Sequence, residues 1–117
     1  MNELITWLRA TIEGDLAKAK AANDSSVEWA AQYAGDCALD AEAEHIQANL
    51  PRDAVARCEA DLAILDEHAP GWVGLKMERQ VCMVHDPRSG DSWPCRTVRL
   101  LARGYRHRPG WQQGWAP

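Results

Sequence analysis

Cys82, His85 and Cys95 fall within fourteen residues, in "CMVHDPRSGDSWPC", although the whole chain holds only four cysteines and four histidines. Two residues between Cys82 and His85 let both side chains converge on one ion as the backbone folds back, the geometry of a metal knuckle. The nine residues that follow carry turn chemistry at Asp86-Pro87 and Ser89-Gly90, so the chain can return and add Cys95. Cys95 also precedes a predicted helix, whose N-terminal dipole favours a thiolate, the form that binds metal. Thiolate and imidazole donors together point to Zn2+ in a structural role.

Three ligands need a fourth. His68 is the first choice, because it ends a predicted helix on that helix's apolar face, with thirteen residues between it and Cys82. Cys58 lies about three turns earlier in the same helix, His107 ends the last predicted helix, and Cys37 would need a nearby hairpin. The plainer reading makes the cysteines small buried apolar residues and His68 a cap suited to a helix C-terminus. Three ligands and a water would instead make a small zinc-dependent hydrolase. Glu67 and Asp86 are the nearest general bases in sequence, but neither stands in a zinc-hydrolase or deaminase motif. There is no Gly-rich phosphate loop and no G-x-S-x-G elbow, so an enzyme is not the expectation.

The elements that must place these residues are mostly helical. Leu4, Leu8, Ile12 and Leu16 recur every four residues and predict an amphipathic helix over 2–22, capped by Asn2 and ended by "NDSS". Val27, Trp29, Ala31 and Tyr33 alternate before Gly35-Asp36, with Cys37 and Leu39 beyond, which predicts a short hairpin. "DAEAEHIQANL" reads as a short helix, and Pro51 suits the first turn of another over about 52–68, with Val55, Cys58, Leu62 and Leu65 on one face. "WVGLKMERQVCMV" reads as extended, and a last helix over about 97–107 turns Val98, Leu101, Ala102 and Tyr105 inward. Trp111 and Trp115, in a Pro/Gly-rich tail, are expected to staple the terminus onto the core.

At 117 residues the chain is expected to be one domain, small enough for a bound metal to matter to its stability. No run of residues is apolar enough to span a membrane, and Glu3 and Arg9 interrupt the N-terminal apolar stretch, unlike a signal peptide. A cytoplasmic protein with thiols in place of disulfides is therefore expected. Residues 1–70 are acidic, with 5 Lys+Arg against 14 Asp+Glu, whereas residues 71–117 carry 8 against 3. The two parts can neutralise each other, or the basic one can face an acidic partner. Arg96, Arg99, Arg103 and Arg106 would form one row on the last helix, a candidate DNA- or RNA-binding surface. The pI of about 5.5 argues against it, and Glu42, Glu44, Glu59 and Asp61 would offer an acidic face to a protein partner.

The segments "LITWLRATIEGDLAKA", "AEHI", "AVARCEADLAILDEHAP", "VCMVH" and "WPCRTVRLLARGYRHRPGWQQGWAP" resemble an uncharacterised family of small proteins from actinobacteria and their phages. The resemblance spans nearly the whole chain, and its last block is the most specific. It maps a ligand set onto His68, Cys82, His85 and Cys95. His85 departs from the family's usual cysteine, which implies a Cys2His2 site softer to acid, and Gly104 replaces a usual proline. The resemblance implies no activity. The expectation is thus an α+β domain, mainly helical with a short hairpin and a zinc-stabilised C-terminal segment. It would act as a non-enzymatic accessory protein for a host or phage protein.

Overall fold

The computed structural model describes residues 2–25, 40–77, 79–85 and 93–117. Its first helix, α1 (Glu3–Ser25), starts where Asn2 supplies the missing acceptor. The Asn2 Oδ1 accepts the N–H groups of Leu4 at 3.0 Å and Ile5 at 3.4 Å, two of the donors a helix start leaves unpaired. Leu4, Leu8, Ile12 and Ala19 are buried along the predicted stripe. The helix runs past the expected stop at residue 22, because Asn and Asp only weakly oppose an Ala- and Lys-rich run. The hairpin expected over 27–39, with Cys37, lies outside the described residues.

Two further helices follow, α2 (Asp40–Ala48) and α3 (Pro51–Glu67). Asn49 closes the joint between them: its Nδ2 donates to the His45 carbonyl at 2.8 Å, and its Oδ1 accepts from Arg57 Nη1 at 2.9 Å. Pro51 occupies the first turn of α3, where a missing N–H costs nothing, and Asp53 Oδ2 accepts the Leu50 N–H at 3.2 Å. Cys58 and Leu65 are buried on α3, as the spacing predicts.

The segment read as extended is an antiparallel hairpin of β1 (Pro70–Val73) and β2 (Arg79–Cys82), pairing Pro70 with Cys82 and Val73 with Arg79. The mainly helical α+β class stands, with this hairpin as its described sheet. The last helix, α4 (Arg96–Arg103), is shorter than the predicted 97–107. After it the backbone tightens to three-residue hydrogen bonds, Gly104 to Leu101, Tyr105 to Ala102 and Arg106 to Arg103. Such turns keep Tyr105 on the Ala102 side while ending the helix, and the Tyr105 hydroxyl donates to the Asp61 carboxylate.

Residue contacts divide the chain into two compact units, Ile12–Ala60 and a second made of Met1–Thr11 with Asp61–Pro117. In the second unit the tail does staple down. Trp7 Nε1 donates to the Pro109 carbonyl at 2.8 Å, and its ring lies 5.7 Å from Trp111 and 5.2 Å from Trp115. The tilted rings match the edge-to-face preference of aromatic quadrupoles. Gly110 makes this approach possible, since its φ is +93° and a Cβ there would lie 2.6 Å from Trp7 Nε1.

Gly110→Ala is therefore expected to destabilise the protein by about 2–3 kcal/mol, through left-handed strain and overlap with Trp7. Gly14→Ala, with nothing within 4 Å of the added carbon, should stabilise it by about 1 kcal/mol through helix propensity. Urea unfolding of both variants checks the pair, and equal effects would contradict this account of Gly110.

Candidate metal centre

Helix α3 ends at Glu67, yet the His68 N–H still donates to the Ile64 carbonyl at 3.0 Å, so its side chain keeps the direction of the last turn. Two residues later the hairpin begins. Because Pro70 pairs with Cys82, the returning strand delivers Cys82 beside His68. Cys95 arrives from the other direction as the N-cap residue of α4, with extended backbone angles (φ −70°, ψ 168°).

His68 Nδ1 lies 3.3 Å from Cys82 Sγ and 3.4 Å from Cys95 Sγ. The knuckle after β2 brings the His85 ring centroid to 5.4 Å from that of His68. One donor atom from each of His68, Cys82, His85 and Cys95 lies within 4.8 Å of all the others. Both thiols are fully buried and both histidines partly so. His85 Nε2 is itself buried and has no hydrogen-bond partner among the described residues.

Ordinary hydrogen bonding serves this arrangement poorly. A neutral imidazole nitrogen has either one lone pair or one proton to share, and here two weak thiol donors crowd a single Nδ1. A tetrahedral zinc shell with Zn–S near 2.3 Å and Zn–N near 2.0–2.1 Å separates its donor atoms by about 3.3–3.8 Å. Its nitrogen–sulfur separation is about 3.5–3.6 Å; the two distances of 3.3 and 3.4 Å lie within about 0.3 Å of that, and a metal would also use a buried imidazole nitrogen of the His85 kind. The four residues could hold one metal ion.

Burial pushes the Cys95 thiol above its ordinary range, and the neighbouring Cys82 pushes it further, while the Val98 and Thr97 N–H groups pull it down. Desolvation therefore outweighs the help that the helix start gives a Cys95 thiolate. A cation among the four donors would reverse that balance by pairing directly with the thiolate.

Of the other fourth-ligand candidates, Cys58 is buried on α3 and His107 is exposed after α4, and neither belongs to the group. Glu67 is exposed and Asp86 lies outside the described residues. A family model matches residues 1–117. The chain belongs to the family of unknown function DUF6221. No curated protein and no solved structure matches it. Among the described residues of this DUF6221 protein, no helix is long and apolar enough to cross a membrane.

Of the arginine row, Arg96, Arg99 and Arg103 lie on α4. Arg96 and Arg103 are exposed on α4, and Arg106 lies beyond its end with Nη1 donating to the Arg103 carbonyl at 3.2 Å. Arg99 is partly buried, and its Nε is buried without a partner among the described residues. Glu42, Glu44 and Glu59 are exposed as expected, but Asp61 is partly buried and taken up by Tyr105.

Sequence reasoning missed Trp93. Its Nε1 donates to the His68 carbonyl at 3.0 Å and its N–H to the Gln80 carbonyl at 3.3 Å, so it anchors the approach to Cys95 on both His68 and β2. A tryptophan two residues before a candidate ligand was the available signal. Trp93→Phe should lower Zn2+ affinity about tenfold, as loss of an outer-shell partner commonly does. Competition with a chromophoric chelator measures it, and unchanged affinity would remove Trp93 from any positioning role.

Proposed function

We propose that His68, Cys82, His85 and Cys95 coordinate one structural Zn2+, and that the protein is a non-enzymatic, cytoplasmic accessory protein that binds a protein partner. The observation that carries the metal reading is the convergence of two buried thiols on His68 Nδ1, with a donor of His85, whose buried Nε2 has no partner among the described residues, in the same group. Four protein donors complete a tetrahedral shell and leave no position for a catalytic water, which favours structural over hydrolytic zinc. Zinc there would tie the end of α3 to the hairpin, the knuckle and the start of α4.

Binding as the role is supported by the surface around the knuckle. Trp72, Leu75, Met77, Met83 and Val84 are all more than half exposed on or beside the hairpin, and a high density of exposed large apolar side chains along one segment is a feature of interaction sites. The pI of about 5.5 favours a protein over a nucleic acid as partner.

The purified protein is expected to carry about one Zn2+ per chain, with an X-ray absorption signature of two sulfur and two nitrogen neighbours. Chelation should lower Tm by more than about 10 °C, because structural zinc contributes folding free energy directly. Cys82→Ser and Cys95→Ser should lose the metal and the ordered hairpin, whereas His107→Ala should keep both. A Tm unmoved by chelation, or full metal content in Cys95→Ser, overturns the assignment.

A further inference from the structure

The sulfurs of Cys82 and Cys95 lie within 4.8 Å of each other. The backbone holds them there. Cys82 ends β2 opposite Pro70, and the Trp93 N–H donates to the Gln80 carbonyl at 3.3 Å. That bond ties the chain two residues before Cys95 to the strand two residues before Cys82. The sulfurs of a disulfide stand about 2.05 Å apart, so side-chain adjustment of under about 3 Å would join these two. Cys58, the third described cysteine, is buried on α3 outside the group. Both sulfurs are buried, but the knuckle beside them is short: Met83 and Val84 are more than half exposed, and His85 is partly so. Local opening of so short a segment breaks few contacts and admits a small oxidant.

We infer that Cys82 and Cys95 form a two-electron redox pair, which a small hydroperoxide converts to a disulfide, switching the site out of its metal-binding form. One sulfur attacks a peroxide oxygen, breaking the O–O bond and becoming a sulfenic acid, while the leaving oxygen takes up a proton. The second sulfur attacks the sulfenic sulfur and expels its oxygen as water, which closes the bridge. Two thiols and ROOH thus give one disulfide, ROH and water, and the two electrons lost by sulfur go to the peroxide. Metal-bound thiolates give the same products by taking two protons from solvent. A thiolate ligates metal and a disulfide sulfur does not, so the oxidised group keeps His68 and His85 as its remaining donors. A second thiol this close also traps the sulfenic acid before it oxidises further. The pairing stands on the sulfur positions alone; the release of metal rests on the zinc reading above.

Treatment of the full-length protein, as purified, with a slight excess of hydrogen peroxide tests the pair. Two of its four thiols should be lost, with a mass decrease of two hydrogens, and dithiothreitol should restore them. Trypsin cuts after Arg79, Arg88 and Arg96, so Cys82 and Cys95 fall on separate peptides that the bridge holds together. One Zn2+ should appear on a chromophoric chelator for each bridge formed. Four surviving thiols, a bridge through Cys37 or Cys58, or a sulfinic acid at Cys82 or Cys95 without a bridge overturns the inference. A bridge that forms with the metal retained overturns the switch. Zinc content measured before oxidation judges the metal assignment by itself: protein that carries no zinc yet forms the bridge removes that assignment and upholds the pair.

Discussion

Two thiols and two imidazoles share a space small enough that each donor atom is within 4.8 Å of the rest. Three separate backbone devices are needed to bring them there. A helix end aims His68, a strand pairing sets Cys82 opposite Pro70, and the start of another helix holds Cys95. The hydrophobic effect alone would fill such a junction with aliphatic side chains, which pack without polar atoms to satisfy. Polar, soft donors at this position make sense when an ion supplies what the missing apolar contacts would have supplied.

The surroundings fit that economy of size. Among the described residues nine apolar side chains other than cysteine are buried, and none of them is aromatic. The tryptophans contribute bulk at the rim instead, where Trp7, Trp111 and Trp115 meet at tilted or edge-on angles and Trp93 donates to the His68 carbonyl. A chain with no phenylalanine uses indoles for area and for directed hydrogen bonds at the same time.

What was legible in the residues follows from the range of the physics involved. The stripes of α1 and α3, the Asn2 cap and the Pro51 start depend on neighbours within one or two turns, and they were readable. The knuckle was readable too, because Cys-x-x-His is a local spacing with few other uses. The β1–β2 turn carries no Asn-Gly signature; it relies on Gly74 and on Met77 at a φ of +53°, so the segment read only as extended. The apolar spacing from Leu101 to Tyr105 continues a helical pattern, which hid the tightening after Arg103. The Trp93 bonds to the His68 and Gln80 carbonyls depend on residues distant in the chain, and nothing local announces them.

The bond from Trp7 to Pro109 joins residues 102 apart in the chain. During synthesis, therefore, the docking site for Trp7 does not exist until residue 109 has been made. Loop-closing contacts of this length are entropically late and slow to form. The unit that contains the His/Cys group is thus completed only once residue 109 is available, and until then the Trp7 indole lacks its partners.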